Sequence, residues 1–395
     1  MKGYKLLLVF MSLAVFLTVT GVAMFGPLLV EMSLTFGISV PVAGQLVTVA
    51  AAAWGVTAIV AGPFSDAYGR KPVLLLGMCF LALGALGIGI APSFSAATGF
   101  SVLVGMGGGM VPPTCIALAG DNSPAAARPM SIALLTMQPG MSSVLGVPAA
   151  AVLGDVAGWR SAFIALGLAQ ILTMAILFAL VTHRPEDRTP LDLPGRLRRV
   201  AAFPVTWYIA GTNVLARIAW GVIIAFFPAY LIVTYGLSTA AVALPVAIVA
   251  VWATAAPLLG GRIGRSRNRL LYASILLLCA AVPAYGVFLL SWGVWGAVVM
   301  AGLFMLMVVP VTTVLSILCA ETGGTSRGVL AGVISSSNWG GAAIGAAIGG
   351  LLVAQVGYDA LSLLLVVMIF ASGLLMAFKL DGRAVARART YFSKD

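Results

Sequence analysis

The sequence predicts an all-α integral membrane protein, with twelve transmembrane helices in two pseudo-symmetric six-helix bundles around a central cavity. Three observations carry this. First, 61% of the 395 residues are hydrophobic and only 8% are charged, whereas a soluble domain is roughly a quarter charged. So few charges cannot keep that much apolar surface in water. Soluble enzymes and nucleic-acid-binding modules are thereby excluded, despite a net charge of +11. Second, the apolar residues gather in runs of spanning length, for which about 20 residues suffice. Third, the second half of the chain repeats landmarks of the first.

The runs fall at about 6–30, 41–64, 73–91, 94–119, 128–153 and 160–182, then at about 204–233, 239–261, 270–290, 293–319, 327–354 and 358–380. Each must be helical, because a backbone in hydrocarbon has to satisfy its own hydrogen bonds and the runs are too long for barrel strands. The first run is too long for a signal-peptide core and has no A-x-A-like site after it, so it reads as a span. Between the sets lies the one long polar segment, 183–203, which contains the only histidine, His183. The expected organisation is a bundle at 1–182, a cytoplasmic linker loop at 183–203, and a bundle with a short cytoplasmic tail at 204–395. Cys79, Cys115, Cys279 and Cys319 all sit in apolar stretches and read as small buried hydrophobes.

Orientation follows from the basic residues. With the N-terminus inside, all but two of the 22 lysines and arginines fall in inner segments; the exceptions are Arg160 and Arg217. This is a strong positive-inside pattern, with both termini cytoplasmic. The basic excess faces anionic lipid headgroups, so membrane lipids are expected partners and nucleic acid is not.

The repeat has an offset near 198. Trp54 and Gly62 correspond to Trp252 and Gly260, and Pro112 to Pro310. Asp121 and Glu321 follow those prolines, and Arg128 and Arg327 follow the acids. A weaker pair is AGWRSAF (157–163) with VGYDALS (356–362). Repeated halves with a site between them at mid-membrane are the architecture of secondary transporters.

The segment Gly62, Asp66, Gly69, Arg70, Lys71 resembles the signature G-x-x-x-D-x-x-G-R-[RK] of the major facilitator superfamily, between spans 2 and 3 where that family has it. The segment GVPAAAVLGDVAGWRSAF (146–163) is similar to the span 5–6 region of the twelve-span drug:proton antiporter-like branch, which exports drugs, sugars and metabolites. Pro27 and the stretch Asn338-Trp339-Gly340-Gly341 suit that branch too. The resemblance implies a secondary active transporter of the bacterial inner membrane, working by alternating access, most simply in efflux. The alternative is an uptake symporter or organic-anion exchanger on the same fold. It also implies a small-molecule substrate, a proton as coupling ion, no cofactor and a monomer. A cytoplasmic charge cluster of Asp66, Arg70 and Asp121, on a loop shaped by Gly62 and Gly69, is implied as a conformational latch; its alternative is a static anchor. In the second half the acid position is Gly264, so Glu321 is expected to pair with Arg265 or Arg267. The branch has an arginine before the span 4 glycines, R-x-x-x-G. Ser101 stands there, ahead of Gly105, which removes the residue on which the usual proton coupling rests.

Arg217 is the most informative residue. It falls at mid-bilayer in span 7, where a charge is expensive without a partner or a watery cavity. No acid lies at that depth: Glu31, Asp155 and Asp359 are at outer ends. Asn213 and Trp220 share its helical face. Two readings stay open, a cation that binds a substrate carboxylate, phosphate or polarised carbonyl, and an arginine tied to backbone carbonyls at a helix break. The first favours neutral or anionic substrates. By the family analogy spans 1, 4, 7 and 10 line the cavity, so Met24, Tyr230 and Met305 are candidates, with Gln138 of span 5 and Asn338 of span 11. The glycine rows 105–109 and Gly341-x-x-x-Gly345-x-x-x-Gly349 read as close-packing surfaces. No metal site, nucleophile–base pair or nucleotide loop is legible, so no catalytic residue is expected and the enzyme class is set aside.

Overall fold

A computed structural model of the chain describes residues 2–181, 193–237, 239–289, 293–322, 327–380 and 382–392. The linker residues 182–192, with His183, lie outside the description, as do the side chains of Asp66, Arg196 and Arg327. Among the described residues, twelve helices are long and apolar enough to cross a membrane. They are numbered here as spans 1 to 12: Tyr4–Ala23, Gln45–Ser65, Arg70–Ile90, Phe94–Asn122, Arg128–Ala157, Trp159–Leu180, Pro204–Tyr235, Ala241–Gly264, Arg269–Leu289, Gly293–Thr322, Val329–Gln355 and Asp359–Lys379. Large apolar side chains such as Leu83, Phe178, Leu351, Leu363 and Phe378 lie exposed on these helices. A soluble surface could not carry so many, and a lipid-facing one does so at no cost.

The spans stay close to the apolar runs, with three local differences. The run 6–30 is two helices, because the chain re-forms at Met24 into a second helix, Phe25–Phe36, with Pro27 in its first turn. Span 5 is segmented. It runs as α-helix over Arg128–Thr136 and Gln138–Met141, as a π turn over Ser142–Gly146, and as α-helix again over Val147–Ala157. Pro139 cannot donate back along the helix, and Pro148 likewise, so the regular ladder is weakest here. The third difference lies in the polar segments. Leu193–Ala202 of the expected loop is a helix, and so is Gly382–Phe392 of the tail. Both hold alanine and arginine, strong helix formers. The tail helix buries Ala384, Ala388 and Phe392, four residues apart on one face. Phe203 stacks on Tyr391 at 4.6 Å and packs on Phe392 at 5.7 Å, so this helix covers the start of span 7.

The chain forms two compact units. The first comprises Met1–Pro124, Met141–Val200 and Gly323–Ser336; the second comprises Ala125–Gly140, Ala201–Thr322 and Ser337–Asp395. Compared with the consecutive halves expected at 1–182 and 204–395, the units exchange a segment of span 5 and a segment of span 11.

In the first unit, span 4 packs on spans 2 and 3 through its glycines. A Cβ on Gly109 would stand 2.7 Å from the Ala58 N, and one on Gly107 would stand 2.6 Å from Leu81 Cγ. The segment of span 11 rests on span 2: Trp54 Nε1 donates to Ser335 Oγ at 3.3 Å and Ser336 Oγ to the Gly55 carbonyl at 3.2 Å. In the second unit, span 8 takes the span 5 segment. Thr136 and Thr313 hydroxyls pair at 2.9 Å, and a Cβ on Gly261 would meet Ala133 Cβ at 2.6 Å. The repeat is visible in packing as well as sequence. Trp54 covers Gly108 in the first unit, and Trp252 covers Gly302 in the second.

Candidate functional site

Span 7 is an unbroken helix from Pro204 to Tyr235, so Arg217 does not sit at a helix break. Its placement is set by span 11. A Cβ on Gly341 would lie 2.7 Å from the Arg217 Cβ and 2.8 Å from the Val214 carbonyl oxygen. A Cβ on Gly221 would in turn lie 2.7 Å from Ala342 Cα. Only glycine lets the two backbones approach this closely, which is the close-packing role expected of the row beginning at Gly341.

Above that seat the predicted polar residues come together. The Arg217 guanidinium lies over the Trp220 ring, with Cζ 5.1 Å from its centroid. One turn back, Asn213 Nδ2 donates to Asn338 Oδ1 at 2.9 Å, which ties span 7 to span 11. Asn213 is fully buried and Arg217 half-buried. The Arg217 Nε is enclosed and has no hydrogen-bond acceptor among the described residues. Stacking on an indole leaves the edge of a guanidinium free to donate. The cluster therefore offers a cation with an unmet donor, an aromatic shelf and the amide of Asn338.

The other candidates lie elsewhere. Gln138 Nε2 donates to the Leu134 carbonyl within its own segment at 2.7 Å. Tyr230 is buried in an aromatic group with Tyr235, Phe288 and Tyr358, at centroid distances of 5.7, 5.0 and 5.5 Å. Met24 belongs to the first unit and is fully buried. Near it, Thr20 Oγ1 and Ser142 Oγ share a hydrogen bond of 2.9 Å that pins span 1 to the π turn of span 5.

The latch residues are placed in part. Arg70 Nε donates to Asp121 Oδ2 at 3.2 Å, and its Nη1 donates to Ser65 Oγ at 3.1 Å. Asp66 and Arg70 have the four-residue spacing of one helical turn, yet they lie on different helices. The helix of span 2 ends at Tyr68, and Gly69, at φ 92° and ψ 161°, turns the chain into span 3. That backbone conformation is open in practice only to glycine. Glu321 pairs with neither Arg265 nor Arg267. Its carboxylate takes Nη2 of Arg269 at 2.6 Å, and Arg269 Nη1 donates to the Gly264 carbonyl at 3.3 Å. The two ion pairs are repeat mates, since Arg269 follows Arg70 at an offset of 199. The offset identifies Arg269, whereas Arg265 and Arg267 are merely nearer in sequence to the degraded acid position at Gly264. Both pairs are only partly buried, with side-chain exposures of 17% and 24%, and 17% and 16%. Each is thus held outside full solvation, where pairing is stronger than on an open surface. Among the described residues, no group of three or more His, Cys, Asp or Glu is placed to hold a metal.

Twelve spanning helices with an internal repeat and a cation in mid-span define a multi-pass membrane protein built on a secondary-transporter fold. The family model for the Major Facilitator Superfamily matches residues 11–336, and the chain belongs to that superfamily. It is 24% identical over 347 residues to the uncharacterized MFS-type transporter YceJ of Bacillus subtilis, covering 84% of this chain and 85% of that protein. It is 27% identical over 347 residues to the inner membrane transport protein YdhP of Escherichia coli K12, covering 82% of each. In fold it is similar to the human organic anion transporter MFSD10, with a TM-score of 0.77 at 17% identity over 94% of this chain and 98% of that one.

Proposed function

We propose that the protein is a secondary active exporter that moves a small neutral or anionic organic molecule across the bacterial inner membrane by alternating access. Both termini are cytoplasmic, the chain acts as a monomer, and the repeat halves 1–182 and 204–395 are the bodies that rock. Arg217, with Asn213, Trp220 and Asn338, holds the substrate. Asp66, Arg70 and Asp121 act as the latch, with Gly62 in the helix of span 2 and Gly69 at its turn into span 3, and with Arg269 and Glu321 as its second copy. The family resemblance favours a proton as the coupling ion, carried by groups other than the span 4 arginine, whose place Ser101 holds.

One observation carries the substrate class. Arg217 keeps an enclosed Nε without an acceptor, and no acidic residue lies at its depth in any span. A cationic substrate would meet an unbalanced charge; an anion would supply the missing acceptor. Export is favoured by the 146–163 segment. The same Arg217 favours a second reading, uptake or exchange of an organic anion.

A thermal-shift screen of detergent-purified protein tests the class, since a ligand that binds only the folded state raises its apparent stability. Anionic compounds should raise the melting temperature of the wild type, and Arg217→Ala should abolish the shift. Stabilisation by cations that survives Arg217→Ala would refute the assignment. Uptake measured in right-side-out and inverted vesicles then fixes the direction.

A further inference from the structure

An apolar crevice lies further along span 7 from Arg217, within the second unit. Spans 7, 8 and 10 line a small crevice, about 60 Å³ in volume and partly open to the surroundings. Its walls include Ile223, Ile224, Phe227, Val249, Ala253 and Met305, and every residue lining it is apolar. Ile224 and Phe227 are seven and ten residues beyond Arg217. At 3.6 residues per turn they lie on the face that carries Asn213, Arg217 and Trp220, and the crevice begins roughly 10 Å along the helix from the guanidinium. The order along span 7 is therefore amide pair, cation, indole shelf, apolar crevice.

We propose that the substrate is an amphipathic organic monoanion. Its acidic group meets Arg217, its apolar part crosses Trp220, and its tail fills the crevice. This rests on the reading of Arg217 as the substrate cation. Each alternative fails on one wall of the site. A hydrophilic anion would strip its own hydroxyls of water against a lining that returns no hydrogen bond. A neutral apolar molecule would leave the Arg217 Nε without an acceptor. An amphipathic cation would set its charge against the guanidinium. Only an acid with an apolar tail satisfies both ends.

The test is equilibrium binding to detergent-purified protein, using benzoate, phenylbutyrate, phenylbutanol and phenylbutylamine as probes. Phenylbutyrate should bind at least about tenfold more tightly than benzoate, because its extra methylenes reach the crevice. It should exceed phenylbutanol by a similar factor, and phenylbutylamine should bind least. Ala253→Phe should fill the crevice and erase the advantage of phenylbutyrate over benzoate while benzoate binding persists. Ala253→Val should erode that advantage in the same direction with a smaller change of volume. Arg217→Ala should weaken both acids and leave phenylbutyrate no better than phenylbutanol. If phenylbutyrate is no tighter than benzoate, or keeps its advantage in both Ala253 variants, the crevice assignment is overturned; benzoate binding that still depends on Arg217 would then leave the parent reading standing. If neither acid binds, or Arg217→Ala alters neither, both readings fall. Equal binding of phenylbutyrate and phenylbutanol, unaltered by Arg217→Ala, would assign the crevice to lipid acyl chains and overturn the proposal.

Discussion

Arg217 is held by shape rather than by an ion pair. Its backbone is fixed against Gly341, its guanidinium lies on Trp220, and its Nε has no acceptor. An unpaired charge in a low-dielectric setting is a cost to the fold. Arg217→Ala should therefore leave the melting temperature of the unliganded protein unchanged or raised. The affinity for an anionic ligand should fall about ten- to a hundredfold, since a charge-assisted hydrogen bond contributes roughly 1.5–3 kcal/mol. Arg217→Lys should restore part of that affinity, because it keeps the charge and loses the planar fork. Calorimetry and binding on the same preparations check both quantities. A lower melting temperature with unaltered affinity would show a structural arginine. The residue could be singled out in the sequence because a lone charge in an apolar run contradicts its surroundings. Its neighbours were legible only as far as one helix reaches. Asn213 and Trp220 follow from helical spacing, but the donation from Asn213 to Asn338 and the seat at Gly341 depend on how span 11 meets span 7, and no local pattern encodes that.

The elements obey the sequence closely wherever one rule acts alone. Apolar length decides the spans, so the runs at 73–91 and 94–119 reappear as Arg70–Ile90 and Phe94–Asn122. The misjudged places are those where two rules compete. Asp66 and Arg70 have the spacing of a helical pair, yet Gly69 breaks the helix between them. Leu193–Ala202 is too polar to span, which predicts loop, yet its residues favour helix. The ion pair formed across elements by Arg70 and Asp121 bears on function at this scale. At 17% and 24% exposure the pair lies between a surface pair, about 1 kcal/mol or less, and a buried one, about 3–5 kcal/mol on loss of a partner, so Asp121→Asn should lower the melting temperature measurably without unfolding the protein. If the pair is a latch, the variant should bind substrate normally and transport it poorly. Transport at the wild-type rate, measured in proteoliposomes, would reduce the pair to an anchor. The helix contact between spans 7 and 11 makes a different demand. Gly341→Val would force its methyl groups against Arg217 Cβ and the Val214 carbonyl, and overpacking of this kind costs typically 1–3 kcal/mol. The melting temperature of Gly341→Val should fall clearly, while Gly340→Val, where the added Cβ meets nothing within 4 Å, should leave it unchanged.

At the scale of the whole molecule, the orientation rests on the distribution of lysine and arginine alone. It is open to direct measurement by cysteine labelling from either side, on a background with the four native cysteines replaced. Pro190→Cys should label from the cytoplasm and Leu237→Cys from the opposite side. Leu237 serves better than its neighbour Gly236, whose φ of 65° would strain any side chain. Labelling of both positions from one side would break the twelve-span topology. The π turn of span 5 has another consequence, one of descent. A π turn holds one residue more than the α-helix on either side of it. Losing a single residue between Ser142 and Gly146 would turn the π turn into regular α-helix and leave the flanking faces where they are, whereas the same loss inside an α-helix would swing everything beyond it by about 100°. The bond from Thr20 to Ser142 and the junction of the two compact units both lie at that point. A one-residue gap in an alignment, ordinarily ruinous inside a spanning helix, can be absorbed here by trading one helical form for the other. Two lineages that differ by that residue would then present the same faces of span 5 and differ only in whether a π turn interrupts it.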